Sequence, residues 1–186
     1  MSVFGNLDWT DGQHSVPGIY PILYFVEKSK ITAWPTLSAN PATAEDEVTY
    51  QGDFTLAAQA VWKEINCIDL KSEPVAEPQG EIRCVSVNNR LTIVTSLTNA
   101  EAAAFQKIAN NTDLVYIFRE RDSGKYRVCG SEMFTTFTRA RQLIGSNPTG
   151  ERGTTIEVES TDIVGFPFYE GAIITSDGDQ NPGGSA

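Results

Sequence analysis

The sequence predicts a mainly β protein with one α-helix, on three observations. Apolar and polar residues alternate with a period of two, as where Val48, Tyr50, Phe54 and Leu56 interleave with Thr49, Gln51, Asp53 and Thr55. β-Branched and aromatic residues fill runs bounded by Gly, Pro, Asn and Asp, the composition of strands between turns. One stretch breaks the pattern: SLTNAEAAAFQKIANN carries an apolar stripe at helical spacing.

Taken in order, residues 1–18 read as an N-terminal arm and residues 19–174 as a single domain. IYPILYFVEKSKITAW (19–34) is rich in strand formers, and PTLSANPATAEDE (35–47), with two prolines and an acidic cluster, is expected to be an extended loop. VTYQGDFTL (48–56) reads as one half-buried strand and AVWKEINCIDL (60–70) as another. EIRCVSV and LTIVTSL read as a hairpin joined by Asn88-Asn89-Arg90, because Asn tolerates the left-handed turn conformation. Thr98 and Glu101 have capping-box spacing for a helix over 99–109, whose Phe105 and Ile108 are expected to dock on the sheets. LVYIF and KYRVC flank the turn Asp122-Ser123-Gly124-Lys125, TTIEVES (154–160) alternates again, and about eight strands result. The tail TSDGDQNPGGSA (175–186) has too little apolar surface to order itself and is expected to be flexible.

The 186 residues suit one domain with a real core, and the net charge of -10 argues against a protein that grips nucleic acid through phosphates. The N-terminus has no basic region leading into an apolar one, and no apolar run nears the roughly 20 residues that span a bilayer, so a soluble, non-exported protein without a membrane partner is expected.

The chemistry-bearing residues are few. Cys67, Cys84 and Cys129 have no C-x-x-C spacing, and His14 is the only histidine. Cys129, at the end of KYRVC, would need a base or a cationic setting to act as a nucleophile; His14, in a Gly/Asp/Pro segment near the N-terminus, is the only histidine that could serve, and a packed thiol is expected. No phosphate-loop, dinucleotide, nucleophile-elbow or zinc-protease motif is present, and Asp177-Gly178-Asp179 lacks the later ligands of a calcium loop. No enzyme activity, cofactor or metal is expected. Trp9, Trp34, Trp62, Phe166, Phe168 and Tyr169 leave open a carbohydrate-binding or hydrolytic platform, against core or interface packing. Charge is uneven: residues 119–152 hold seven Lys/Arg against four Asp/Glu, a local +3, which leaves -13 for the remainder.

The order WKEINCIDL, a Pro/Gly turn with Gly80-Glu81, NNRLTIV, the Ala-rich helix, NNTDLVYIF, a charged Gly turn, KYRVCGSEMFTT, Gly145 to Gly153, TTIEVESTD and FPFYEG resembles tail-tube-like virion proteins of tailed phages and prophages of Bacteroidota. The resemblance spans about residues 48–171. It implies a β-sandwich or barrel-like subunit with one flanking helix and long arms. Such subunits are made in the host cytoplasm and stack as hexameric rings into a virion tail, with other tail proteins as partners and DNA passing through without specific binding. A head-tail connector or capsid-decoration subunit is the alternative within that class. On this reading an acidic lumen repels phosphate, with Thr49, Gln51, Asp53, Thr55 and Glu64 as lumen candidates. Glu45, Asp46 and Glu47 would meet Arg119, Arg121, Lys125, Arg139 and Arg141 between subunits or rings, and edge strands would pair between subunits.

Overall fold

The computed structural model describes residues 7–8, 11–12, 14–145 and 152–182. Along the chain run β1 (Ile19–Glu27), a 3-10 turn at Lys28–Lys30, β2 (Ile31–Ala33), β3 (Thr36–Leu37), β4 (Thr49–Gln51), β5 (Thr55–Leu56), β6 (Lys63–Asn66), β7 (Glu73–Gln79) and β8 (Ser86–Thr95). Then follow α1 (Ala100–Ala109), β9 (Leu114–Glu120), β10 (Tyr126–Cys129), β11 (Phe137–Leu143), β12 (Gly153–Asp162), β13 (Phe168–Tyr169), β14 (Ile174–Thr175) and β15 (Gly178–Asp179). Among the described residues the protein is mainly β with one α-helix.

A seven-stranded sheet has the order β3-β4-β13-β10-β9-β1-β6, and a four-stranded sheet the order β11-β12-β8-β7. The four-stranded sheet is antiparallel throughout, whereas β13 and β4 run parallel. One core cluster joins the two sheets: Leu23, Tyr116, Phe118 and Cys129 from the larger meet Leu91, Ile93, Ile156 and Val158 from the smaller. The opposite face of the larger sheet carries a second cluster, in which Tyr24, Val115, Ile117, Val128 and Tyr169 are covered by Phe54, Trp62 and Ile173. β9 is therefore buried on both faces, which explains its unbroken apolar run LVYIF. Each such side chain contributes about 1.5–3 kcal/mol by leaving water.

α1 lies against β11 and docks through Phe105, whose ring meets Phe25 edge-on at 5.3 Å, and through the buried Ala109. Ile108 stays exposed, because the docked face follows the i, i+4 pair 105/109 and turns 108 outward. The cap also differs from the expected box: Asn99 accepts from the Ala102 N–H at 3.0 Å, while Thr98 accepts from Arg152.

Three further expectations are corrected. Asn88-Asn89-Arg90 is no turn; β8 runs straight through it, and the hairpin reverses at Gly80–Val85, where Cys84 N–H bonds Glu81 O at 2.9 Å. Asn89 is held extended because its buried amide donates to Val164 O at 3.1 Å and accepts from Phe166 N–H at 3.2 Å. The stretch 48–56 is not one strand: Gly52, at φ +87°, turns the chain, so β4 joins the seven-stranded sheet and β5 pairs with β2. Finally, residues 175–182 of the tail are ordered. β14 and β15 form a hairpin whose Asp179 carboxylate accepts from the Ile173 and Asn181 N–H groups, while residues 183–186 lie outside the described ones.

Candidate functional site on the outer sheet face

The outer face of the four-stranded sheet is an exposed strand surface. Alternation turns Leu91, Ile93, Ile156, Val158 and Ala140 inward and leaves their neighbours outward. From one edge to the other the charged residues on that face fall in columns of alternating sign. These are Glu73 and Glu77 on β7, Arg90 on β8, Glu157 and Glu159 on β12, then Arg139 and Arg141 on β11. Arg90 lies between two columns, 3.3 Å from Glu77 and 3.7 Å from Glu159, and Arg139 is 3.6 Å from Glu159. Cross-strand opposite charges of this kind stabilise a sheet by a few tenths to about 1 kcal/mol each. Exposed apolar side chains flank the outermost columns, Val75 on β7 and Phe137 and Leu143 on β11.

Both edges of this sheet are blunted. Val94 turns its backbone toward the β7 side, its N–H reaching Ser72 Oγ at 3.3 Å and its carbonyl accepting from Ile68, so even-numbered residues of β8 bond that way. In the resulting register the backbone groups of Pro74, Ala76 and Pro78 of β7 point to the open edge of the sheet, and only Ala76 has an N–H to offer there. On the far side the Ala140 N–H of β11 is already bonded to Asn110 Oδ1 at 2.7 Å, at the end of α1. Edge strands pairing between subunits, as the resemblance implies, would lack two donors on β7 and the Ala140 donor on β11.

The residues singled out as lumen-facing do not form one surface. Thr49 is buried, with its hydroxyl donating to Glu45 O at 2.8 Å. Gln51 is exposed at the end of β4, opposite Thr36. Asp53 is exposed but fastens the C-terminal segment, accepting from Ala172 N–H at 2.8 Å. Thr55 sits on β5, where its carbonyl accepts from Thr32. Glu64 is exposed on β6 opposite Tyr24, whose phenol is pushed up to about 12, chiefly by burial and then by Tyr126 and Glu64.

Most of the residues expected to meet across subunits are engaged within the chain. Lys125 pairs with Glu45 and, at 3.3 Å, with Glu170, which raises its pKa. Arg121 pairs with Asp69 and donates to Ile19 O at 3.1 Å. Arg119 donates to Gly124 O at 2.7 Å and lies over the Tyr20 ring. Asp46 closes a local turn with Thr43, whose hydroxyl and then N–H hold its carboxyl below the usual range. Glu47 is exposed. Only Arg139 and Arg141 of that set lie on the outer sheet face. Reading 88–90 as a turn, and only a Pro/Gly turn with Gly80-Glu81 after WKEINCIDL, hid Arg90, Glu73 and Glu77; alternation in SVNNRLTIVT was the signal that could have found Arg90.

The other candidates resolve into packing. Cys129 is fully buried and its thiol is pushed far up, mainly by loss of solvation and secondly by Asp162, the opposite of an activated nucleophile. Cys67 is half-buried, Cys84 exposed, and His14 exposed. Trp62, Phe166 and Tyr169 are core residues, Trp34 packs edge-on against Phe54 at 5.2 Å, and Phe168 lies 3.9 Å beneath the Arg127 guanidinium. Trp9 lies outside the described residues. A cleft of about 570 Å3 between Ile19, Pro74, Phe118 and Phe166 also contains Glu120 and Arg127, which are paired with each other at 3.3 Å. Among the described residues no group of three His, Cys, Asp or Glu is placed to hold a metal ion, and no helix is long and apolar enough to cross a membrane. Comparison with protein-family models, curated proteins and solved structures gives no match.

Proposed function

We propose that this chain is a structural subunit that assembles with copies of itself into stacked rings forming the wall of a DNA-conducting phage tail tube. The observation that carries the reading is the outer face of the β7-β8-β12-β11 sheet, where four glutamates (73, 77, 157, 159) stand against three arginines (90, 139, 141), a formal -1. Arg90 and Arg139 are ion-paired to glutamates on the same face. A cation already neutralised by carboxylate has little charge left to exchange for the counterions of a phosphate chain, so such a wall passes DNA without holding it. In this reading the outer face takes the lumen role first given to Thr49, Gln51, Asp53, Thr55 and Glu64. Burial of Trp62, Phe166 and Tyr169 counts against the rival carbohydrate platform.

Sedimentation velocity and electron microscopy of the purified protein test the proposal. Rings or tubes are expected, alone or after nucleation by a tail tip; a species that stays monomeric at high concentration would remove it. Ring symmetry and position in the particle separate a tube from a connector or a decoration subunit. In assembled tubes, Glu157→Lys with Glu159→Lys should create DNA retention that falls steeply with salt.

A further inference from the structure

The charge columns of the four-stranded sheet run minus, plus, minus, plus from β7 to β11, so its two lateral rims have opposite sign. The rims lie three strand spacings, about 14 Å, apart. One presents Glu73 and Glu77 around Val75; the other presents Arg139 and Arg141 between Phe137 and Leu143. Because the sheet has four antiparallel strands, β7 and β11 also run in opposite directions. A second copy placed beside the first in the same orientation would set its β7 next to β11, restoring both the alternation of charge and the alternation of strand direction.

We infer that the acidic β7 rim of one copy docks on the basic β11 rim of the next, through side chains rather than a strand ladder. This rests on the self-assembly reading above and names the contact that reading requires. Pro74 and Pro78 withhold two of the three edge donors of β7, and Asn110 occupies that of Ala140, so a full backbone ladder cannot supply the seam. Charge and apolar area remain: Glu73 and Glu77 against Arg139 and Arg141, and Val75 against Phe137 and Leu143. The two patches differ, so the contact is heterologous and propagates from copy to copy into a ring or a filament. It weakens with salt, since exposed charges are screened beyond about 10 Å at 0.1 M and about 3 Å at 1 M ionic strength.

Charge reversal tests it. Glu73→Lys with Glu77→Lys makes both rims basic, and Arg139→Glu with Arg141→Glu makes both acidic. Each double variant should self-associate at least about tenfold more weakly than the wild type, and an equimolar mixture should assemble again with the two variants alternating. Glu73→Lys alone and Arg141→Glu alone, which remove no ion pair seen among the described residues, give the same comparison if a double variant fails to fold. Sedimentation velocity reads all of these. A wild type that remains monomeric overturns the contact and the proposed function together. A wild type that assembles while the folded variants assemble equally well, or while their mixture does not recover, overturns this contact and leaves the function standing.

Discussion

Replacing Asn89 by Ala removes a side chain that joins two segments far apart in sequence. Its amide is almost wholly buried, at 1% exposure, and bonds the Val164 carbonyl and the Phe166 N–H on the turn that leads into β13. Alanine would leave one part-buried acceptor and one buried donor without partners, at up to about 1–3 kcal/mol each. The same two bonds hold Phe166 at φ +46°, a costly conformation for a bulky residue, with its ring edge-on to Phe118 at 5.2 Å. Since the loosened turn relaxes part of that strain, the net loss is about 2–4 kcal/mol. For a chain of this size that lowers the melting temperature by about 4–16 °C. Urea unfolding followed by tryptophan fluorescence measures it, with the midpoint shifting and the slope unchanged. Asn88→Ala, at a half-buried neighbouring position, should cost less than about 0.5 kcal/mol. Equal effects at 88 and 89, or a gain in stability for Asn89→Gly as a left-handed turn position would give, would refute the role assigned to this amide.

Thiol accessibility should follow burial: a chromogenic disulfide reagent should modify Cys84 rapidly, Cys67 slowly and Cys129 only on unfolding, and rapid labelling that survives Cys84→Ser would contradict this. Asp53→Ala should free the β14-β15 segment at a cost of about 1 kcal/mol, detected as faster proteolysis beyond Ala172, whereas Asp53→Asn, which keeps an acceptor for the Ala172 N–H, should not. Asp162 titrates above its ordinary 3.8, because burial outweighs the hydrogen bond from Ile163 N–H. The folded state therefore binds this proton more tightly than the unfolded one, and the resulting stability is complete below pH 3.8 and is lost as pH rises through the folded-state value. The stability of the wild type relative to Asp162→Asn should fall as pH rises above 3.8 in urea titrations, and a difference independent of pH would exclude the linkage.

Legibility in the sequence tracked how local each cause was. The run LVYIF showed its burial because both faces of β9 are covered and every position must be apolar. The alternation of TTIEVES showed one buried face because its partners demand only that. Asn88-Asn89 misled because a residue that favours turns also suits a buried bridge, and the groups it bridges lie 75 and 77 positions away. EPVAEPQ concealed a strand because Pro usually marks a turn, yet prolines four apart point to the same side, which is what an edge strand tolerates. Among the described residues the charge excess over 119–152 is divided between two sheets. Its first part folds into the β9-β10 hairpin, where Lys125 and Arg121 meet Glu45, Glu170 and Asp69, while Arg139 and Arg141 rise on a strand of the other sheet. Counting charge along a chain treats neighbours in sequence as neighbours in space. In a protein built from two stacked sheets that holds only within one strand, so it was the columns across strands, invisible until the register was known, that exposed two rims of opposite sign.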